Sequence, residues 1–556
     1  SKFKDWNFSL MRDHIKKMKL IKKAATDDER AAAKAEKERK LLTYGIAIVD
    51  DHLEKVGNFS MEPPGLFRGR GKHPKTGKIK HRVYPNQVTL NIGEGAVPPV
   101  CPLPGFSWGA IQHDPSVTWL CKWTENISGS NKYSMLSASS SFKGKSDREK
   151  YNKAMQLKGY IEKIRKDYEG GLASKESTAR QIATAMWLID KLALRVGGEK
   201  DSGEEADTVG CCTLRVEHLT FNSDTNNEIE LEFLGKDSML FKQTIDFSIY
   251  KKIGSMVYKN LKDFIAKKKS SDQVFSDIDP SILNRHLNNL MPGLSAKVFR
   301  TFNASDTLQN ELPSEGELEN LTIQDKIVKF NDANRQVSIL CNHQRTVSGS
   351  MIKAFDNLGE TLNRLKEQKA EMETWLSISE KARKKIPLKT KKGEGSEIDI
   401  LDAEVKFIVG KAKKLKAEAK THEEKVQVTQ LNEQAASKKR ELSTKKIEEA
   451  HLFLNPPTQD QIKKRIMSWA AKIQNKDVDL RDRQQNKEVA LGTAKINYMD
   501  PRITVAWCKR NEVPIEKVFA KTLRDKFVWA MNAPPDWEFS YSTFLQINQK
   551  KEGVKN

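Results

Sequence analysis

The amino-acid sequence predicts an α+β protein built from several domains. Its 556 residues leave room for about three to four domains of ordinary size. Residues 43–139 are rich in Pro, Gly, Trp and β-branched residues, a texture that favours short strands joined by turns. Residues 347–487 hold 31 Lys and Arg and 22 Asp and Glu, which suits exposed helices and leaves little for a core.

Charge and cysteine usage narrow the class of function. The formal net charge of +22 favours a polyanionic partner, with nucleic acid first and an acidic membrane surface second. The sequence has no apolar run of about 18 residues, so no membrane-spanning helix is predicted. Six cysteines without a CxxC pair exclude a zinc ribbon and a disulfide framework, and indicate a reducing compartment. The chain begins at Ser1 inside a charged helical pattern, so we expect a piece of a longer protein.

Periodicity predicts the elements in the first two thirds of the chain. Residues 1–42 are expected to form an exposed connecting helix, because they are rich in Ala, Lys and Glu. Between residues 140 and 346 helices and strands mix, and apolar residues from 182 to 196 mark one helix face. The period-two segment EIELEF and the following MLF predict an antiparallel meander, with Lys236 in the tight turn between them. A further helix is expected over IQDKIVKFNDANRQVSILCNH.

Narrow apolar stripes predict a long antiparallel coiled-coil arm over 347–487, which should project into solvent and bury no globular core. The stripes are Phe355, Leu358, Leu362 and Leu365, followed by Val405, Ile408, Ala412, Leu415 and Ala419. Pro387 and the NPP segment at 455–457 are the expected breaks.

The last part of the chain, 488–556, returns to globular composition. Asp500 and Pro501 predict a helix start, with the carboxylate as cap and proline at the first helical position. The segment EVPIEKVFAKTLRDKFVWAM predicts an amphipathic helix, and the polar tail after Tyr541 is expected to fray.

The residues by themselves identify no catalytic site. The sequence has no Walker A loop, HExxH, EF-hand or histidine cluster. The basic run LFRGRGKHPKTGK either follows phosphates or is a solvated loop. Lys236 is either a proton donor or an ordinary turn residue, and His343 either binds phosphate or interacts with a helix end. Taken alone, Arg195, Arg300 and Tyr498 carry no signal. The residues by themselves therefore indicate only a basic, mixed α/β protein with a coiled-coil arm that binds nucleic acid.

Eight segments of the sequence match segments of a known family in the same order. They are EPPGLFRGRG, WTENISGS, IDKLALRVGGEK, ADTVGCC with LRVEH, EFLGKDS, AKVFRTFNAS, ILCNHQR and ALGTAKINYMDPRITVAWCKR. In these segments and in their order, the chain resembles the eukaryotic DNA topoisomerase I family, the type IB enzymes.

The resemblance implies a DNA clamp with a β-rich core unit, a mostly helical catalytic domain of tyrosine-recombinase type, a coiled-coil linker and a small helical C-terminal domain. The implied domains are the end of the cap region (1–25), core subdomain I with a connector helix and the β-rich clamping unit (26–139), catalytic core subdomain III (140–346), the linker (347–487) and the C-terminal domain with the nucleophilic tyrosine (488–556).

The resemblance also implies the catalytic set. Tyr498 matches the nucleophile, which forms a 3′-phosphotyrosyl link. Arg195 and Arg300 match the arginines on the scissile phosphate, and His343 matches the third donor to a nonbridging oxygen. Lys236 matches the general acid. Because the link conserves the phosphoester bond, relaxation of supercoils is expected to require no ATP, metal or other cofactor.

Further residues are implied as contacts to duplex DNA: Arg68, Arg70, Lys132, Lys150, Asp237 and Asn497. Arg70, Asp237 and Asn497 are expected to confer sensitivity to camptothecin-type inhibitors. The resemblance implies a nuclear monomer without a membrane partner.

The sequence departs from the family pattern in several ways, among them the following two and a longer tail after Trp537. Gly198 stands where Asn is expected, three residues after Arg195, and the arm carries extra sequence between roughly 370 and 455. Two alternatives remain. A tyrosine recombinase usually has His three residues before its second Arg, where this chain has Lys297, and it lacks such an arm. A non-enzymatic DNA-binding scaffold would need no tyrosine nucleophile.

Overall fold

A computed structural model describes residues 7–60, 63–201, 203–222, 227–389, 395–418 and 421–553. The chain divides into two compact units, which are described separately below. The first comprises Ser1–Leu42 and Ser348–Arg481, and the second comprises Thr43–Val347 and Asp482–Asn556. The predicted arm and the N-terminal helical stretch therefore belong to one unit, and the parts predicted to be β-rich, catalytic and C-terminal belong to the other. The finer domain boundaries stay a prediction.

The chain begins with two helices, α1 (Ser9–Ala24) and α2 (Asp27–Tyr44), rather than the single helix expected over 1–42. The break has a local cause. Thr26 Oγ1 accepts from Glu29 N at 3.1 Å, and Glu29 Oε2 accepts from Thr26 N at 2.8 Å. This reciprocal capping box starts a new helix after α1.

Eight short strands follow, as the sequence predicted. They are β1 (Ile46–Val49), β2 (His52–Lys55), β3 (Gly65–Leu66), β4 (Ile79–Lys80), β5 (Thr89–Asn91), β6 (Ala110–Gln112), β7 (Trp119–Thr124) and β8 (Asn131–Met135). They form two two-stranded sheets, β1-β2 and β3-β4, and one sheet of order β6-β5-β7-β8. The hairpin β3-β4 carries the basic run between its strands, so a short ladder holds the two ends of that loop together.

Eight helices and three strands make up the next part of the second unit. They are α3 (Ser141–Leu157), α4 (Ile161–Gly171), α5 (Ser177–Lys191), β9 (Leu219–Phe221), β10 (Glu228–Leu234), β11 (Leu240–Asp246), α6 (Lys251–Ile265), α7 (Pro280–Leu290), α8 (Ala296–Glu311), α9 (Glu315–Leu318) and α10 (Ile323–Leu340). The antiparallel meander is confirmed, with order β11-β10-β9. The helix predicted up to residue 196 ends earlier, at Lys191, because Ala193 has a φ of 48° and turns the chain.

The arm contains four long helices and one short helix: α11 (Gly349–Ser377), α12 (Glu380–Arg383), α13 (Glu397–Glu418), α14 (His422–Glu448) and α15 (Gln459–Gln485). Pro387 and the NPP segment lie between helices, as predicted. The expectation that the arm buries no core is wrong, since Met372, Trp375 and Trp469 belong to a buried apolar cluster. Two aromatic rings at the helix faces supply enough apolar surface for this small core.

Helix α1 packs on α14. The start of α2 forms ion pairs with the end of α13 and the start of α14. Lys416 Nζ lies 2.7 Å from the Asp27 carboxylate, and Lys425 Nζ lies 2.9 Å from that of Glu29. The buried Thr429 Oγ1 donates to the Leu20 carbonyl at 3.3 Å. Helix α1 is therefore not a free connector, because it has the arm as a partner, whereas α2 has no buried residue and is exposed as predicted.

The C-terminal part forms α16 (Leu491–Asn497), α17 (Pro501–Arg510), α18 (Ile515–Val518), α19 (Lys521–Lys526) and α20 (Tyr541–Gly553). Asp500 caps α17 as predicted, while the amphipathic segment from 512 breaks into two short helices. The tail expected to fray instead forms α20, which the buried Phe544 anchors. Residues of this part share one apolar core with α3 to α10, so the site tyrosine is fixed to the central helices. Within the described ranges, no helix has the length and apolar character needed to cross a membrane.

Candidate active site

Tyr498 lies in the turn between α16 and α17. Its N–H donates to the Ala494 carbonyl at 2.9 Å, which ends α16, and Asp500 starts α17 two residues later. A helix end followed directly by a capped helix start leaves the tyrosine little backbone freedom. The ring is only partly buried and packs against the main core. The sequence thus places a semi-exposed phenol on a rigid support.

Two arginines face this ring from different elements. The Arg300 Cζ atom, on α8, lies 5.3 Å from the Tyr498 ring centroid, and Arg195 Cζ, in the loop after α5, lies 5.9 Å from it. Cations at this distance interact favourably with the ring and place positive charge beside it. Both predicted arginines therefore lie beside the predicted nucleophile.

The guanidinium of Arg300 is held by main-chain carbonyls. Its Nη1 donates to Ala193 O at 2.7 Å, and its Nη2 donates to Cys341 O. Its buried Nε finds no acceptor among the described residues. Burial lowers the pKa of Arg300, and the nearby Arg195 lowers it further. A buried cation with a spare donor is suited to an anionic ligand, because such a ligand would offset its desolvation.

His343 completes the polar wall around Tyr498. Its main chain is fixed on both sides, since its N–H donates to Ser338 O at 2.8 Å and its carbonyl accepts from Ala490 N at 2.7 Å. Both ring nitrogens are buried and find no partner within the described part of the chain. Burial, with Arg300 and Arg195 nearby, lowers the pKa of His343 to about 4. The imidazole is therefore neutral at pH 7 and holds an unused donor.

Lys236 reaches the same cleft from the meander. It lies in the tight turn Lys236–Ser238 between β10 and β11, where Asp237 has a φ of 66°. With Arg195, Arg300 and His343 it lines an open cleft of about 430 Å³. The sequence separates these four side chains widely, and the fold brings them together around one cavity beside Tyr498.

The predicted DNA contacts divide into two groups. Arg68, Arg70, Lys132 and Asp237 line a larger cleft of about 1220 Å³, and Arg70 and Asp237 also line the smaller one. Arg70 Nη1 lies 2.5 Å from Asp237 Oδ1, so the basic loop is joined to the turn that carries Lys236. These basic side chains give the larger cleft a surface suited to phosphates.

Lys150 and Asn497 lie outside both clefts. Lys150 Nζ donates to the Asn497 carbonyl at 3.0 Å and lies 4.2 Å from the Tyr151 ring centroid. Burial lowers the pKa of Lys150. This lysine thus holds the main chain next to the predicted nucleophile. Its predicted contact with DNA stays a prediction.

Several residues of the site gave no signal in the sequence. Ser305 bonds to the main chain on either side of Met499, and Arg502 binds Asp500 and Asn152 in a buried network. Lys75 forms an ion pair with Glu204 and so ties the basic loop to the segment after α5. Ser in a helix and Lys in a basic loop are common, so only the long-range contacts distinguish them. Among the described residues, no three His, Cys, Asp or Glu side chains are grouped to hold a metal ion.

Family models match three stretches of the chain. The model for the eukaryotic DNA topoisomerase I DNA binding fragment matches residues 1–136, and that for the catalytic core of the same enzyme matches residues 139–376. The model for the C-terminal topoisomerase domain matches residues 470–539, which include Tyr498. Helices α13 and α14 lie between the last two matches.

Relatives from fungi, plants and animals are similar over nearly the whole chain. DNA topoisomerase 1 of Candidozyma auris is 42% identical over 97% of this chain and 72% of its own length. DNA topoisomerase 1 beta of Arabidopsis thaliana is 41% identical over 97% of this chain and 51% of its own length. Human DNA topoisomerase 1 is 40% identical over 96% of this chain, which spans 61% of that protein. These matches do not favour the recombinase or the scaffold alternative. With that identity over nearly its full length, the chain belongs to the eukaryotic DNA topoisomerase I family, the type IB enzymes.

Proposed function

We propose that this chain relaxes supercoiled duplex DNA by cutting one strand, letting it rotate and resealing it. The observation that carries the proposal is the set of donors around one phenol. Arg195, Arg300 and His343 surround Tyr498 at centroid distances of 5.9, 5.3 and 5.5 Å. A phosphodiester in this cleft would meet positive charge and a neutral N–H donor together, which suits a reaction in which negative charge grows on phosphate oxygens.

The cleavage step is an attack of the Tyr498 oxygen on phosphorus. The bond from phosphorus to the tyrosine oxygen forms, the bond to the 5′ oxygen breaks, and the phenolic proton passes to solvent. Arg195 and Arg300 offer permanent charge to the nonbridging oxygens. His343 donates a hydrogen bond as a neutral imidazole, in accord with its lowered pKa.

Lys236 is the general acid for the leaving 5′ oxygen. A proton delivered at that oxygen is worth about 10²–10⁴-fold in rate. The turn that carries Lys236 is joined to the basic loop through Arg70 and Asp237, so both reach the DNA as one surface. Religation reverses these steps with the energy kept in the phosphotyrosyl link, and it therefore needs no ATP.

The remaining expectations extend this proposal. The larger cleft, with Arg68, Arg70 and Lys132, is the DNA-binding surface of a clamp, and camptothecin-type inhibitors bind beside Asp237 in the cleaved complex. The catalytic part is of tyrosine-recombinase type, and the arm is the coiled-coil linker. The protein acts as a monomer in the nucleus, where its duplex substrate is found.

The test is plasmid relaxation in EDTA without ATP, comparing the parent with Tyr498→Phe. The parent should relax the plasmid, while the variant binds DNA about as well and relaxes none of it. Tyr258→Phe is a matched control, because it removes a phenolic hydroxyl from a ring packed in the core outside the cleft. Relaxation by Tyr498→Phe at the parent rate, or its absence in the parent, would overturn the proposal.

A further inference from the structure

We propose that Ser305 is a positioning residue for the Tyr498 nucleophile, and that it sets the distance between the tyrosine and the phosphate-binding Arg300. The inference rests on the proposed function, and its test below separates the two. Ser305 touches neither the cleft nor the reacting atoms, so it acts only through the main chain of the tyrosine turn.

One hydroxyl bridges both sides of the nucleophile's turn. Ser305 Oγ donates to the Tyr498 carbonyl at 3.1 Å and accepts from Asp500 N at 3.0 Å. A serine hydroxyl offers one donor and two lone pairs, so both bonds form at once. The main chain from residue 498 to residue 500 is therefore gripped at both ends by a single side chain.

The bridge lies in a dry part of the protein. Ser305 and Asp500 each have 0 % of their surface exposed. The bond to Asp500 N is buried, while the bond to the carbonyl of the half-buried Tyr498 is partly buried. Loss of the hydroxyl therefore leaves a buried N–H unpaired and weakens the hold on the carbonyl. The turn would then shift to recover these bonds, and the Tyr498 ring would move with it.

The bridge joins the nucleophile to the helix that holds the phosphate-binding group. Ser305 and Arg300 both lie on α8, five positions apart, which corresponds to a rise of about 7.5 Å along one rigid helix. The main-chain carbonyls of Ala193 and Cys341 fix the Arg300 guanidinium. Ser305 therefore transmits the position of that helix directly to the tyrosine.

Other contacts hold the turn from other directions. Lys150 Nζ donates to the Asn497 carbonyl at 3.0 Å, and Arg502 Nη2 donates to the Asp500 carboxylate at 2.7 Å. Lys150 belongs to α3, and Arg502 belongs to the same segment as the turn itself. Among these three side chains, Ser305 is the one that links the turn to α8. Its removal should loosen the turn relative to Arg300 without releasing it from the protein.

The Ser305→Ala variant should form the same final amount of covalent complex as the parent, but at a lower rate. In near-attack geometry a displacement of about 1 Å can cost roughly 100-fold in rate. We therefore expect single-turnover cleavage of a nicking substrate to slow by roughly 10- to 100-fold. Noncovalent binding of uncut DNA, measured in the Tyr498→Phe background, should be unchanged because the clefts keep their side chains.

The experiment separates the rate of covalent-complex formation from its amplitude, which is the fraction of protein molecules that react. A variant that is merely unfolded in part loses amplitude while its folded molecules react at the parent rate. A positioning variant keeps its amplitude and loses rate. Ser305→Thr keeps the hydroxyl, and Ser305→Val introduces a side chain of the same shape as Thr without the hydroxyl. The Thr variant should therefore cleave faster than the Val variant. Thr504→Val is the control, because it removes a buried hydroxyl on α17 that has no partner among the described residues.

Each result decides the inference. Slow, full-amplitude cleavage by Ser305→Ala and Ser305→Val, with recovery in Ser305→Thr, supports the positioning role. Parent-like rates in both hydroxyl-free variants, or the same slowing in Thr504→Val, overturn it while the proposed function stands. Absence of a covalent complex in the parent overturns both.

Discussion

The imidazole of His343 stacks on the phenol of Tyr498, with 5.5 Å between ring centroids and 23° between ring planes. This places a neutral, buried ring against the proposed nucleophile, and neither ring nitrogen has a partner among the described residues. In the folded protein without DNA, His343 is therefore neutral at pH 7. It has a consequence for stability as well as for catalysis.

The first prediction concerns acid stability. The folded-state pKa of His343 is about 4, below the ordinary value near 6.5, so the unfolded chain takes up the proton first as pH falls. Stability from the neutral ring is fully present above pH 6.5 and is lost as pH falls towards 4. Relative to His343→Gln, the parent should lose up to about 3 kcal/mol of unfolding free energy between pH 7 and pH 4.

Denaturant unfolding at each pH measures this difference. His14→Gln removes an exposed histidine on α1 and is the control. It should follow the parent across the whole range. A constant difference between the parent and His343→Gln from pH 7 to pH 4 would contradict the depressed pKa.

The second prediction concerns the role of Lys236. Lys236→Ala should slow cleavage of ordinary DNA by about 10²–10⁴-fold, because the 5′ alkoxide then leaves without its proton. A substrate with a 5′ thiolate leaving group needs no such proton and should be cut at close to the parent rate. Lys242→Ala, in the same hairpin but paired with Glu230 at 3.0 Å, should cut both substrates normally. Equal slowing on both substrates by Lys236→Ala would remove it from the acid role.

Elements with local sequence signals were predicted, whereas contacts between distant parts of the chain were not. Period-two alternation located the meander, and the Asp500-Pro501 pair located the start of α17, because both signals are local. The partner of the N-terminal helices was not predictable, since α1 meets α14 across about 400 residues of chain through ordinary Lys, Asp and Thr side chains. The α20 helix was missed because its anchoring is tertiary.

The residues of the site were likewise not predictable from local sequence patterns alone. Tyr498 and its four partners were identified by resemblance to a family, while their spacing carried no signal of its own. The geometry then adds what a motif does not contain. Ser305 sits in the matched segment AKVFRTFNAS as one more helical serine, and only its bonds to residues 498 and 500 give it a role.

The third prediction concerns inhibitor sensitivity. Camptothecin should raise the amount of covalent complex formed by the parent. Asp237→Asn should reduce this effect by about tenfold, which corresponds to the loss of one charge-assisted hydrogen bond of roughly 1.4 kcal/mol. The variant also releases Arg70, which lies 2.5 Å from Asp237, so covalent complex without drug must be measured in parallel. Equal drug response in both proteins would place the inhibitor elsewhere.

The last prediction concerns the contact between α1 and α14. Thr429 is buried there, and its hydroxyl is shared between Lys425 O at 3.1 Å and Leu20 O at 3.3 Å. Thr429→Asp would bury a carboxylate against the Leu20 carbonyl. We expect α1 to detach, with amide hydrogen exchange over 9–24 accelerated at least about tenfold while the α11 amides stay protected. Thr444→Asp puts the same charge on an exposed site of the same helix and should change neither. Unchanged exchange over 9–24 in Thr429→Asp would mean that the N-terminal helices do not depend on the arm for their order.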